Sequence, residues 1–121
     1  MKEEEQRIAI ATAAGWTGII AEGLNMGPAG IEPGHFKAYM PIPLPDYLND
    51  LNDLHEAEKV LQGMQLRRYS HYVWCIKIGI TPYESNDEDK TIDFLQAYHL
   101  LQATAKQKSE AFLRAIGKWI D

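Results

Sequence analysis

Cysteine is almost missing from this chain: Cys75 is the single one in 121 residues, so no internal disulfide can form. A chain without disulfides suits a reducing compartment. Its start, MKEEEQRIAIATAAGW, lacks an apolar stretch long enough for an export signal. A cytoplasmic location is the expectation. Long apolar runs are missing as well, all falling far short of the roughly 20 residues that span a bilayer, and no membrane contact is expected. Positive charge is scarce, with 12 Lys and Arg against 17 Asp and Glu for a net charge of -5. Duplex nucleic acid is bound by clustered cations that displace counterions from phosphates, so that function class is excluded. A small anion held in a local basic pocket is not. Nucleotide fingerprints are also lacking: the glycines between Gly23 and Gly34 are followed by no GK[ST] and sit in no strand-turn-helix frame.

What is present describes one folded domain over residues 1–121, since 45% hydrophobic and 24% charged residues place the chain among globular proteins rather than disordered ones. Glu3, Glu4 and Glu5 followed by Gly15 suit the two ends of a helix over about Glu3 to Ala14. Ile8, Ile10, Ala11 and Ala14 form its apolar face, and Trp16 folds back on it as a core anchor. From Thr17 to Leu44, five glycines and four prolines exclude a long helix. TGII and HFKAYMPI are candidate strands of a hairpin. Pro45 and Asp46 open a second helix, with Leu48, Leu51, Leu54 and Leu61 as its buried stripe beside Tyr47.

The segment QLRRYSHYVWCIKIGI reads two ways. Tyr72, Trp74, Ile76, Ile78 and Ile80 alternate as on a strand, and aromatic and β-branched content supports that. Leu66, Tyr69, Val73, Ile76 or Lys77, and Ile80 make an equally good helical stripe. Further on, KTIDFLQAYHLL places Ile92, Leu95, Tyr98 and Leu101 or His99 in helical register. Thr104 and Gln107 form a capping box for a last helix whose apolar face is Phe112, Leu113, Ile116 and Trp119.

Several clusters invite a chemical reading. Asp46, Asp50 and Asp53 would share a helical face, but a regular helix cannot wrap a hard cation as a tight loop does. His55 with Glu58 is one Glu/His pair where di-iron bundles need two. These groups are read as a solvated face, with no metal and no cofactor. Cys75 lies among apolar residues that raise a thiol pKa and is read as core filler. His35, His71 and His99 would have to converge to support a small hydrolase, the third functional choice; the sequence leans away from an enzyme, and no catalytic residue is assigned. The remaining cluster is RRYSHYVW. Arg67, Arg68 and His71 offer cationic donors, and Tyr69, Tyr72 and Trp74 offer flat faces for a base. Arg67, Arg68 and Lys77 bring +3 between Gly63 and Ile80 with no acidic residue there. The pattern fits a ligand grip, a subunit interface or ordinary helix-surface packing.

EQRIAIATAAGW, PDYLNDLNDLHEAEKVL and ATAKQKSEAFLRAIGKW, together 46 of 121 residues, occur in this order. They resemble landmarks of a family of small bacteriophage and prophage proteins related to the phage ABA-sandwich-domain proteins. The resemblance implies a helix rather than a strand over 64–80, a viral origin and residence in the host bacterial cytoplasm. It brings no catalytic residues with it. The resulting fold expectation is a mainly α protein of four to five helices with one small β-hairpin, the alternative being α+β. The functional expectation is an accessory protein with an anti-defence role, sequestering a nucleotide immune signal without cleaving it through Arg67, Arg68, Tyr69, His71, Tyr72 and Trp74, as a homo-oligomer. The alternative is a protein-protein interaction module that inhibits a host protein.

Overall fold

The computed structural model describes residues 1–23, 27–34, 40–83 and 94–121, with 94–96 described by their backbone alone. Among these, the chain forms α1 (Glu3–Ala13), β1 (Thr17–Ile20), β2 (Ala29–Ile31), β3 (Ile42–Pro43), α2 (Leu51–Glu58), α3 (Met64–Ile78), α4 (Phe94–Gln102) and α5 (Ala105–Ala115). The fold is mainly α with a small antiparallel sheet. None of the described helices is long and apolar enough to cross a membrane.

Helix α5 is the central element, packing against α1, α2 and α3. Its start is the expected capping box: the Gln107 N–H donates to Thr104 Oγ1 at 3.2 Å, and the Thr104 N–H donates to Gln107 Oε1 at 3.0 Å. Phe112 and Leu113 are fully buried, and Ile116 and Trp119 pack partly on the same core. Each such side chain contributes about 1.5–3 kcal/mol through burial. Ser109 is buried among them, satisfied by donating to the Tyr47 carbonyl at 3.1 Å.

Three helices end on one device. After α1, α3 and α5 a glycine with positive φ (Gly15, Gly79, Gly117) reverses the chain. The next residue's N–H then donates back into the last turn: Trp16 to Ala11, Ile80 to Cys75, Lys118 to Leu113, at 2.8–3.0 Å. This is the Schellman arrangement, which satisfies carbonyls that a helix end would otherwise leave unpaired. It returns Trp16 to the core as expected, into the cluster that also holds the buried Tyr47.

Several expectations are corrected. TGII is a strand, but β1 pairs with β2, and β2 with β3, in the order β1-β2-β3. The partner lies inside the glycine-rich segment because pairing there closes a shorter loop. Of HFKAYMPI, residues 35–39 lie outside the described residues, and Ile42 belongs to β3. The second helix begins at Leu51 rather than at Asp46. The Asp50 carboxylate is its cap, accepting from Asn52 N at 2.8 Å and Asp53 N at 3.4 Å, while Asp46 starts a preceding turn closed by Asp50 N to Asp46 O at 2.9 Å. Leu48, Leu54 and Leu61 are buried; Leu51, on the first turn past the cap, is 46% exposed.

Residues 64–78 are helical, with Tyr69, Tyr72, Val73 and Cys75 buried and Ile76 packed on the core. Leu66 and Ile80, expected on the buried stripe, sit at its two ends and are half-exposed. In α4, Tyr98 and Leu101 are exposed, and Leu100 packs on the core instead; the side chains of Ile92 and Leu95 lie outside the described residues.

Candidate functional site: an aromatic cleft at the end of α3

The six residues read from RRYSHYVW separate once α3 is packed. Tyr69 faces inward. Its ring meets Phe112 edge-on with centroids 6.5 Å apart, and its hydroxyl donates to Glu58 Oε1 at 2.9 Å. Burial and then the neighbouring Glu58 charge push its pKa far above the usual tyrosine value. Such a ring offers no face to a ligand. Arg67 and Arg68 are exposed; His71 and Trp74 are half-buried on the outer side, their rings tilted against each other at 5.9 Å. Tyr72 is 7% exposed, and that remainder lines a cleft.

The cleft is bounded by Tyr72, Pro82, Tyr83, Arg114, Gly117 and Trp119 and has a volume of about 240 Å³. Two chain reversals build it. Gly79 ends α3 and turns the chain so that Tyr83 comes back against the helix. There the Tyr83 backbone lies beside the Cys75 thiol, and the His71 ring meets the Tyr83 ring edge-on at 4.8 Å. His71 Nε2 lies 3.5 Å from the Cys75 sulfur, so Cys75 and His71 together mount Tyr83. Burial pushes the Cys75 thiol pKa up, partly offset by the Tyr83 backbone beside it. A fully buried neutral thiol packs and does not attack.

The second reversal is Gly117, which brings Trp119 back beside α5. The Arg114 guanidinium sits 5.2 Å from the centre of the Trp119 ring, a cation–π contact. Arg114 Nε donates to Glu110 Oε2 at 3.1 Å, one helical turn earlier, and Nη2 donates to Asp121 Oδ1 at 3.5 Å. The same Asp121 oxygen accepts the Trp119 indole N–H at 3.0 Å.

Chemically the cleft can do two things. Its rings can stack on a planar ligand. At 240 Å³ it is smaller than the roughly 300–1,000 Å³ of sites that enclose drug-sized molecules, so it takes one ring system and leaves the rest of a ligand outside. Arg114 in the wall can meet an anionic remainder; Arg68, exposed and outside the lining, lies four residues before Tyr72 and so about 6 Å back along the helix axis. Side chains on a helix tilt towards its N-terminus, which leans Tyr72 towards Arg68.

The other sequence candidates are not gathered here. The Asp50 and Asp53 carboxylates bind backbone amides, Asp53 Oδ2 accepting from Asp46 N at 2.9 Å, so the row of three carboxylates on one helix does not exist. The His55 side chain is exposed, 3.7 Å from Glu58. His99 lies on α4 with a buried, unpartnered Nδ1, and His35 lies outside the described residues. Among the described residues no three His, Cys, Asp or Glu side chains are placed to hold a metal ion.

Sequence reasoning missed Tyr83, Arg114 and Trp119 as site residues. Trp119 was read as core, and Arg114 carried no local pattern. The usable signal was the glycine before each aromatic, Gly79 ahead of Tyr83 and Gly117 ahead of Trp119, since a helix that ends on such a turn sends the next side chain back along itself. Comparison with family models, curated proteins and solved structures found no match for the chain.

Proposed function

We propose that the chain is a phage-encoded accessory protein that captures a nucleotide in the host cytoplasm without cleaving it, removing a nucleotide immune signal by stoichiometric binding. The observation that supports this is the cleft of Tyr72, Tyr83 and Trp119 with Arg114 in its wall and Arg68 one turn away. The base stacks on the rings, contributing about 1–3 kcal/mol. The phosphates meet the guanidiniums through charge-assisted hydrogen bonds. His71 holds the Tyr83 ring and Trp74 packs on the His71 ring, and neither lines the cleft. No bond in the ligand is broken, so the effect scales with the amount of protein.

Isothermal titration against a panel of linear and cyclic nucleotides, including cyclic ADP-ribose isomers, tests the reading. One-to-one binding that falls on Arg68→Ala and on Trp119→Ala supports it; silence across the panel overturns it.

A second reading, an interaction module acting on a host protein or on its own copies, draws on a different observation. Met64 and Leu66 on α3 are about half exposed, and Tyr98 and Leu101 on α4, which packs beside α3, are 52% and 79% exposed. On that reading a homo-oligomer forms, Leu101→Ser shifts it towards monomer in analytical ultracentrifugation, and the nucleotide panel stays silent.

A further inference from the structure

Arg114 is held by two carboxylates that differ in a telling way. Glu110 is its neighbour one turn back on the same helix, at 3.1 Å and with 26% of its side chain exposed. Asp121 lies 3.5 Å away with 89% of its side chain exposed. A pair at the upper end of hydrogen-bond range, with one partner almost wholly in water, is weak and easily exchanged. Asp121 is nevertheless not loose. Its Oδ1 also accepts the Trp119 indole N–H at 3.0 Å, so one carboxylate oxygen bridges the cleft's cation and the edge of one of its aromatic rings. That is where an anionic group attached to a ring stacked in the cleft would arrive.

We propose that Asp121 is an internal stand-in for a ligand phosphate: it occupies Arg114 in the empty cleft and is displaced when a nucleoside diphosphate binds. This rests on the capture reading above and adds to it the class of ligand and the control of access. A diphosphate carries two anionic groups, one for Arg68 and one for Arg114. It competes with Asp121 for Arg114 with more charge and with five non-bridging phosphoryl oxygens, two on the α and three on the β group, against a single carboxylate oxygen already shared with Trp119. Glu110 stays in place, because its short intrahelical contact orients the guanidinium from the other side. Displacement also frees the Trp119 indole N–H, which couples ligand binding to a spectroscopic signal in the cleft wall.

The experiment compares ADP with adenosine on the wild-type chain and on Asp121→Asn. The replaced side chain is largely in solvent, and circular dichroism checks that the fold is kept. The expected result is that Asp121→Asn tightens ADP roughly two- to fivefold, the factor that one exposed ion pair is able to withhold, and leaves adenosine unchanged. In the wild type, the Trp119 indole N–H, assigned with Trp119→Phe, loses its hydrogen-bond protection against exchange with water on adding ADP and keeps it on adding adenosine. ADP bound equally or more weakly by Asp121→Asn would overturn the proposal, with Asp121 then a support for Trp119 and no competitor. Equal tightening of ADP and adenosine would overturn it too, since the gain would then come from a roomier ring site. If wild type and variant bind neither molecule, this proposal falls whatever other nucleotides do. If ADP binds and is indifferent to Asp121, this proposal alone falls and the capture reading stands.

Discussion

Tyr69 and Tyr72 are three residues apart on α3, have the same chemistry and are both nearly buried, yet they belong to different regions of the molecule. Tyr69 sits on the core side, locked edge-on against Phe112 with its hydroxyl given to Glu58. Tyr72 sits nearly two turns before the end of α3, and its small exposed remainder forms part of a wall with Tyr83 and Trp119. The core side is built from residues whose every face has a protein neighbour. At the cleft, Tyr83 is held by His71 and Trp119 by Arg114 and Asp121, and both rings keep part of their surface exposed. An aromatic residue is thus a structural or a recognition element according to how many of its faces the fold leaves unoccupied.

The contrast breaks most visibly on the core side. Phe112→Ala removes a fully buried ring on which Tyr69 packs and is expected to cost about 3–5 kcal/mol in urea unfolding, enough to unfold a domain of this size or leave it marginal. A loss below about 1 kcal/mol would mean that the core does not run through α3 and α5.

Alkaline pH probes the same side. Burial, then the Asp53 charge, pushes Tyr47 up to about 12, and Tyr69 is raised further by burial and Glu58. Both folded values lie above the ordinary tyrosine value near 10, so the neutral phenols favour the fold. Their contribution is intact below about pH 10 and is lost as pH rises above it, for Tyr47 by about 12 and on the order of a few kcal/mol. Stability measured between pH 8 and 12 should fall over that window, and Tyr47→Phe should flatten the fall.

On the cleft side the expected pattern inverts. Tyr83→Ala and Arg68→Ala replace exposed side chains and should change stability by no more than about 0.5 kcal/mol, while each weakens nucleotide binding. Loss of the stacking face is expected to cost about 1–3 kcal/mol. Loss of the charged donor costs about 1.5 kcal/mol, the lower end of the range for hydrogen bonds to charged groups because Arg68 is exposed. If Tyr83→Ala destabilised the fold as strongly as it weakened binding, the distinction between the two regions would disappear.

The smallest effects separate a cap from a site in α2. Asp50→Ala should cost about 1 kcal/mol and Asp50→Asn almost nothing, since asparagine caps as well as aspartate does. A metal site would be damaged by both changes, so equal losses would reopen that question.

Legibility followed the range of the interaction. Asp50 shows where local reasoning stops: Asp46 and Asp50 are both good caps four residues apart, and no rule confined to the segment decides between them. Burying Tyr47 and Leu48 beside α5, with the Tyr47 carbonyl given to Ser109, decides it by keeping 46–49 in a turn. The strand-like composition of α3 was outweighed because its inward residues, Tyr69, Tyr72, Val73 and Ile76, match a helical stripe laid against α5. The functional reading placed six residues of one segment together, and the fold kept only Tyr72 in the cleft, because a helix distributes consecutive residues around its axis.

By itself the sequence determined the pieces whose energetics are settled within a few residues: the Thr104 and Gln107 capping box, the Gly15 end that returns Trp16 to α1, and the apolar face of α5. The cleft was decided by tertiary structure alone. Its walls come from positions 72, 83 and 119, and their meeting depends on the packing of α3 on α5 and on two chain reversals whose outcome neither segment contains. Capping bonds and helical periodicity act over one or two turns, whereas the free energy that brings Tyr83 and Trp119 to one surface comes from burying residues far apart in the chain, and that is settled only once the whole core has formed.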